Sequence, residues 1–108
     1  MNFSNFIPMN DPLKILKTQS DELFKKHKVK TAYAFGSVCS DTFNDESDVD
    51  LLVSFEDVPL LDYADNFFDL QRELELILGR KIDLVIEKTV TNPYLKKSID
   101  QQKIQLYG

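Results

Sequence analysis

The chain has few of the residues that mark secreted, zinc-binding or membrane proteins. Its 108 residues contain one cysteine, Cys39, which excludes an intramolecular disulfide, and no second thiol or histidine stands at zinc-ligand spacing from it. Cys39 is therefore expected to fill space as a small apolar residue. No apolar stretch approaches the length of a membrane span, and the first ten residues lack the basic and apolar regions of a signal peptide. We expect a cytoplasmic protein without membrane attachment.

Positive charge is also scarce. The net charge is −5, the only arginines are Arg72 and Arg80, and the chain lacks the basic stripe that non-specific binding of nucleic acid requires. Long DNA or RNA is therefore not expected as a partner. A nucleotide that carries its own magnesium stays compatible with an acidic protein, because the metal neutralises much of the phosphate charge.

The length fits a single domain, 1–108, with one core and little room for a second substrate-holding module. Hydrophobic residues make up 43% of the chain and charged residues 29%, which is typical of a folded globular protein rather than a disordered one. Whatever the protein acts on is therefore expected to need a partner surface.

Hydrophobic periodicity predicts an α/β (α+β) domain, with a small mixed β-sheet of three to four strands flanked by helices. The predicted helices cover Asp11–His27, Pro59–Leu78 and Tyr94–Asp100; the predicted strands cover Lys30–Phe35, Asp48–Phe55, Lys81–Glu87 and, at an edge, Lys103–Tyr107. Gly79 stands where the second helix should end.

Negative charge is concentrated before the second predicted strand. Between Lys30 and Arg72 there is no lysine or arginine, whereas five acidic residues fall within ten positions: Asp41, Asp45, Glu46, Asp48 and Asp50. Residues 45–47 are expected to form a solvated turn. Asp48 and Asp50 belong to the strand, where residues two apart share a face, and two carboxylates about 6 Å apart repel by roughly 3 kcal/mol at an effective dielectric near 20. A bound Mg²⁺ would reverse that penalty.

A glycine turn lies close to these carboxylates in the predicted topology. Gly36-Ser37 ends the first strand, and Asp48 opens the next strand after a gap of ten residues. Glycine permits close backbone approach, and Ser37 adds a hydroxyl at the start of an expected short helix over Val38–Thr42. If both segments touch one ligand, their strands run antiparallel; Asp83 also opens a strand, which would then run parallel to the Asp48 strand. Three carboxylates and a Gly-Ser turn indicate metal-dependent phosphoryl chemistry.

These motifs resemble a known signature. Phe35-Gly36-Ser37, the ten-residue gap and Ser47-Asp48-Val49-Asp50-Leu51-Leu52 look like the signature of the DNA-polymerase-β-like nucleotidyltransferase superfamily, whose minimal members are close to this chain in length. The resemblance covers about Lys30 to Glu87 and includes a third aspartate on a later strand, Asp83.

The resemblance implies roles for the five site residues. Asp48 and Asp50 would hold two Mg²⁺ ions, and Gly36 and Ser37 would hold the β and γ phosphates of a nucleoside triphosphate, which we expect to be ATP. Asp83 would complete one metal site and help to deprotonate the acceptor hydroxyl; the alternative for Asp83 is a solvated charge at a strand mouth. In-line displacement at the α-phosphorus would then transfer a nucleoside monophosphate, AMP in the case of ATP.

The resemblance also implies a partner. Minimal members of the family often act as the antitoxin of a toxin–antitoxin pair beside a helical HEPN-type ribonuclease, and some are thought to transfer AMP to a tyrosine of that toxin. A HEPN-type partner or a homo-oligomer is therefore expected.

The chain departs from the family pattern in one loop. Many relatives carry arginine and glycine just after Gly-Ser, where this chain has Val38, Ser40 and Asp41. Asp41 would oppose a triphosphate if it faced the site. Either a lysine from elsewhere compensates or catalysis is weak.

Four other residues have plainer expectations. His27 is expected to be an exposed cation at a helix end, and Phe67 and Phe68 are expected in the core. Arg80 is expected to satisfy the end of a helix, with a phosphate contact as the alternative.

Of three rival functions, the sequence disfavours the first two. In haloacid-dehalogenase-type phosphatases the apolar strand precedes the Asp-x-Asp pair, whereas here it follows, and the chain is too short for a usual metal-dependent glycosyltransferase domain. The third rival is a catalytically weak binding module that neutralises a partner protein by forming a complex.

Overall fold

The computed structural model describes residues 11–41, 43, 44 and 46–108. The helices are α1 (Pro12–Gln19), α2 (Asp21–Lys26), α3 (Leu60–Leu78) and α4 (Pro93–Gln102), and the strands are β1 (Val29–Phe35), β2 (Val49–Phe55), β3 (Ile82–Ile86) and β4 (Ile104–Tyr107). Short 3₁₀ helices cover Gly36–Cys39 and Glu87–Thr89. Within the described part of the chain, no helix is both long and apolar enough to span a bilayer.

The four strands form one mixed sheet in the order β3-β2-β1-β4. β1 pairs antiparallel with both β2 and β4, and β2 pairs parallel with β3 across the connection that contains α3. The predicted mixed sheet, the antiparallel first pair, the parallel second pair and the edge position of the last strand are all confirmed.

One face of the sheet carries the hydrophobic core. It packs against α1, α2 and α3, and its fully buried residues are Leu16, Phe24, Ala32, Ala34, Val49, Leu51, Val53, Leu70, Leu74 and Ile82. On the other face, Leu52 of β2 and Ile99 of α4 are buried together and line a common small cavity. Because side chains alternate along a strand, the second residue of β2 points toward this less enclosed face.

Helix α3 fixes the start of β3. Gly79 ends the helix in the left-handed conformation, with φ 67°, as expected for a glycine at this position. The side chain of Glu75 accepts a hydrogen bond from the Ile82 amide at 3.0 Å, and the Gln71 side chain donates to the Ile82 carbonyl at 2.9 Å. Both backbone groups of Ile82 are therefore held by α3, immediately before Asp83.

The prediction of a single helix over Asp11–His27 is wrong, because the helix is interrupted at Ser20, which separates α1 from α2. Serine is unfavourable inside a helix and favourable at its ends, and the two residues after it, Asp21 and Glu22, are acidic, as in the first turn of a new helix.

The prediction for His27 is also wrong. The residue is only 4% exposed: Nδ1 lies 2.9 Å from the Leu23 carbonyl oxygen and Nε2 lies 3.0 Å from the Glu73 carboxylate. Phe67 packs against the core as predicted, whereas Phe68 is 59% exposed. Neither the helix-end position of His27 nor the apolar character of Phe68 indicated which way the side chain would face.

Candidate active site

Asp50 and Asp83 occupy matching positions on neighbouring parallel strands. Each is the second residue of its strand, and the two are register partners in the pairing of β2 with β3. Val49 and Leu51 are fully buried in the core, so Asp50 points toward the opposite face, and its register partner Asp83 shares that face. Adjacent strands lie about 4.8 Å apart, which places the two carboxylates side by side.

The end of β1 lies directly beside Asp50. Phe35, the last residue of β1, pairs with Asp50, and Gly36 then turns the chain with φ 77°. A β-carbon added to Gly36 would collide with Oδ2 of Asp50. Only glycine both adopts this backbone conformation readily and leaves room for the carboxylate.

The Gly-Ser turn is shorter than predicted. A 3₁₀ helix covers Gly36–Cys39 in place of the expected helix over Val38–Thr42, and the Ser40 amide donates to the Ser37 carbonyl at 3.0 Å. Thr42 lies outside the described residues. The 3₁₀ helix begins immediately after β1. The half-buried Ser37 therefore lies at the same end of the sheet as Asp50.

Asp48 completes the set of predicted site residues. It is exposed, lies immediately before β2 and is two residues from Asp50, so strand alternation directs it to the same face. Gly36, Ser37, Asp48, Asp50 and Asp83 thus meet at one end of the sheet. Among the residues that the structure describes, no three acidic, histidine or cysteine side chains are arranged closely enough to hold a metal ion as they stand.

Electrostatics at this end of the sheet disfavour a charged Asp50. Burial is the main factor that raises the pKa of the Asp50 carboxyl, and the negative charges of Asp83 and then Asp48 raise it further. The pKa of the Cys39 thiol is raised by burial and then by Asp50. The three aspartates therefore concentrate negative charge at this end of the sheet.

The donor set fits a divalent cation. Carboxylate oxygens are the hard ligands that Mg²⁺ selects, and a cation among them would offset the repulsion that raises the pKa of Asp50. The missing side chain of Gly36 leaves open the space against the Asp50 carboxylate. Oxygen donors on adjacent strands, beside a backbone turn, are suited to holding a metal–phosphate group.

The loop after the Gly-Ser turn has no cationic side chain at Val38, Ser40 or Asp41, where many relatives carry arginine and glycine. Val38 is buried in the core, and Ser40 and Asp41 are exposed. Cys39 packs against the core, as predicted, and its thiol donates to the Ala34 carbonyl at 3.5 Å.

Sequence reasoning missed the role of Arg80. Its Nη1 donates to the carbonyl oxygens of Asn44 and Ser47 in the loop before β2. A lone arginine after a helix-ending glycine carries no sequence signal for such a contact, since the loop and the helix end are more than thirty positions apart in the chain.

A separate groove lies at the far end of the sheet. Its volume is about 700 Å³, and it is formed by the segments that follow β2 and β3 and by the start of α3, including Phe55, Leu60, Tyr63 and Ile86. Because β2 and β3 run parallel and carry Asp50 and Asp83 near their beginnings, this groove is remote from the carboxylates.

The polymerase beta nucleotidyltransferase family matches residues 18–108, which include all of the site. The chain belongs to this family. Like the other members, it is a nucleotidyltransferase.

Curated relatives of this nucleotidyltransferase carry more specific names. A candidate protein adenylyltransferase of Methanocaldococcus jannaschii is 42% identical over 90 residues, covering 83% of this chain and 89% of the relative. The protein adenylyltransferase MntA of Thermococcus cleftensis is 34% identical over 82 residues, covering 76% of this chain and 80% of the relative.

Solved structures share the fold of this nucleotidyltransferase. A candidate minimal nucleotidyltransferase superposes with a TM-score of 0.62 at 32% identity, covering 86% of each chain. A complex of a tri-AMPylated Shewanella oneidensis HEPN toxin with its MNT antitoxin gives 0.60 at 21% identity, covering 89% of this chain and 72% of the other. A toxin–antitoxin structure with AMP-PNP gives 0.63 at 24% identity, covering 93% and 74%. The predicted nucleotidyltransferase fold is confirmed.

Proposed function

We propose that this nucleotidyltransferase transfers AMP from ATP to a hydroxyl group of a partner protein, with Mg²⁺ held by Asp48, Asp50 and Asp83. The observation that carries the proposal is the register pairing of Asp50 with Asp83, next to a glycine whose missing side chain leaves room for the Asp50 carboxylate. Relatives named as protein adenylyltransferases support AMP as the transferred group and a protein as the acceptor.

Each site residue has a distinct task in the proposed reaction. The backbone of Gly36 and the hydroxyl of Ser37 would hold the β and γ phosphates, while Asp48 and Asp50 would supply the carboxylate oxygens that hold Mg²⁺. Mg²⁺, when bound, neutralises phosphate charge and polarises the α-phosphorus. Asp83 would accept the proton of the acceptor hydroxyl, a role that its exposure and its position beside Asp50 support. The acceptor oxygen bonds to the α-phosphorus as the bond to pyrophosphate breaks.

The proposed acceptor is a tyrosine of a HEPN-type partner. The site residues that the structure describes are exposed or half-buried, with Asp48 and Asp83 exposed, so a hydroxyl on the surface of another chain could approach them. The toxin–antitoxin complexes among the structural neighbours, one of them with an AMPylated HEPN toxin, support this class of partner.

Transfer of a label from ATP tests the proposal. The protein is mixed with ATP labelled at the α-phosphate, Mg²⁺ and the HEPN-type product of a neighbouring gene. We expect label on the partner with the wild type and none with the Asp48→Asn/Asp50→Asn double variant. The matched control is Asp21→Asn/Glu22→Gln, which removes two exposed carboxylates from α2 and should leave transfer intact. Label that survives loss of Asp48 and Asp50 would refute the assignment.

A second function, neutralisation of the partner by complex formation alone, is favoured by one observation. Large apolar side chains are exposed where α3 and α4 begin, with Leu60 88%, Leu61 94% and Tyr94 85% exposed, and Leu60 also lines the groove of about 700 Å³. Exposed apolar surface of this kind is typical of protein interfaces. A tight complex with no label on the partner, unchanged by Asp48→Asn/Asp50→Asn, would support this function over the enzymatic one.

A further inference from the structure

Arg80 is built into the loop that leads to Asp48. It follows the left-handed Gly79 turn, and its half-buried side chain reaches across to residues 43, 44 and 47. Nη1 donates to the carbonyl oxygens of Asn44 at 3.2 Å and Ser47 at 3.0 Å. The guanidinium carbon lies 4.5 Å from the centre of the Phe43 ring, which itself packs against the core. Three contacts thus fix one cation against one short loop.

Two of the backbone groups next to Asp48 are held by the segment that contains Arg80. The Ser47 carbonyl, which accepts from Arg80, belongs to the peptide bond whose nitrogen is that of Asp48. On the other side, the Val49 amide donates to the Lys81 carbonyl at 3.1 Å. Asp48 is exposed and has no regular secondary structure of its own, so these two hydrogen bonds set the direction in which its Cα–Cβ bond points.

The same segment leads directly into the third carboxylate. Asp83 is three residues after Arg80, at a position where α3 already holds both backbone groups of Ile82. A displacement of residues 80 and 81 therefore changes the position of Asp48 relative to Asp83. The loop aspartate and the β3 aspartate are coupled through this connection, although they are 35 positions apart in the chain.

We propose that Arg80 is a positioning residue of the metal site, which orients Asp48 toward Asp50 and Asp83 through the Ser47 carbonyl. This inference rests on the proposed function, because it assigns the aligned carboxylates to a divalent cation. Residues that hold metal ligands in place characteristically affect metal affinity by about 10- to 100-fold when they are removed. The competing role for an arginine near a nucleotide site is direct contact with phosphate, which makes different predictions.

Mn²⁺ binding, followed by electron paramagnetic resonance without nucleotide, separates the two roles. We expect Arg80→Met to weaken Mn²⁺ binding by about tenfold. Arg72→Met is the matched control, since Arg72 is the only other arginine and pairs with Asp69 at the surface, 2.6 Å away. It should bind Mn²⁺ like the wild type. Affinity for an ATP analogue measured in EDTA should be the same for Arg80→Met and wild type, whereas loss of a phosphate ligand would lower it.

A double variant tests whether Arg80 acts through Asp48. In an Asp48→Asn background, Arg80→Met should cause little further loss of Mn²⁺ affinity, because the ligand that it orients is already gone. A full additional tenfold loss in that background would overturn the inference.

Arg80→Lys keeps the test valid if Arg80→Met does not fold. Lysine retains the charge but lacks the planar group that stacks on Phe43 while donating to two carbonyls, so Mn²⁺ affinity should still fall by several-fold. Wild-type affinity in Arg80→Lys or in folded Arg80→Met would overturn the positioning role and leave the proposed function standing. Failure of the wild type itself to bind Mn²⁺ would overturn both.

Discussion

At the scale of single residues, Gly36 and Asp50 depend on each other. An alanine at position 36 would meet the Asp50 carboxylate and would also be strained at φ 77°. We expect Gly36→Ala to lose about 1–2 kcal/mol of unfolding free energy from the backbone strain, and nucleotidyl transfer to fall by at least an order of magnitude. Urea unfolding and a transfer assay measure the two effects separately.

Gly79→Ala is the matched control for this substitution. Gly79 has a similar φ of 67°, but an added β-carbon would have no neighbour within 4 Å. It should lose about 1–2 kcal/mol of unfolding free energy through the same strain, without the contact that an alanine at position 36 makes with Asp50, while retaining transfer activity. Equal loss of activity in both variants would show that Gly36 matters only for folding.

Asp50 is expected to destabilise the metal-free fold. Its pKa is raised in the folded state, so the ionised carboxylate costs stability above that pKa, and the cost disappears as the pH falls through the folded and then the ordinary value. Asp50→Asn should therefore be more stable than wild type at neutral pH in EDTA, with the difference shrinking toward acidic pH. Unfolding curves over a pH series measure this, with exposed Asp65→Asn as the control. A wild type that is the more stable protein at neutral pH would contradict the electrostatic account.

At the scale of helices and strands, His27 links α2 to α3 by contacting both helices. Its ring contacts the Leu23 carbonyl of α2 and the Glu73 carboxylate of α3, and its own carbonyl accepts from the Asn66 side chain at 2.8 Å. Loss of the ring removes a side chain that is only 4% exposed, together with both of its polar contacts, and leaves a space between the helices, so His27→Ala should cost about 2 kcal/mol or more of unfolding free energy. Lys25→Ala, in an exposed position on the same helix, should change it by less than about 0.5 kcal/mol. A His27 variant as mild as the lysine variant would contradict this packing role.

Strands were more predictable than the joints between elements. The short apolar runs that contain Leu51 and Leu84 are typical of buried strands. The assumption that Gly36, Asp48 and Asp83 share one ligand then predicted the strand directions. By contrast, the break at Ser20 and the contacts of His27 and Arg80 depend on residues distant in sequence, which local periodicity does not report. The arrival of Asp48, Asp50 and Asp83 at one end of the sheet followed from the strand assignments, whereas their role as metal ligands stays a prediction.

At the scale of the whole molecule, the two ends of the sheet differ in chemistry. Carboxylates and the glycine turn occupy one end, while the groove and the exposed side chains of Leu60, Leu61 and Tyr94 occupy the other. If the apolar end binds the partner, Leu61→Asp should weaken complex formation at least tenfold without changing stability, because Leu61 is 94% exposed.

The matched control for this surface is Leu76→Asp, the same change at a 76% exposed position near the other end of α3. It should bind the partner normally, and Asp50→Asn should also form the complex while failing to transfer AMP. Binding titrations with the three variants measure this division. Normal partner binding by Leu61→Asp would place the interface elsewhere.

The most direct measurement is the anomalous diffraction of Mn²⁺ in crystals grown with a non-hydrolysable ATP analogue. The account predicts an anomalous peak coordinated by oxygens of Asp48 and Asp50, close to Asp83, with the triphosphate lying over Gly36 and Ser37. A peak that avoids these carboxylates, or a nucleotide bound in the groove at the far end of the sheet, would contradict it.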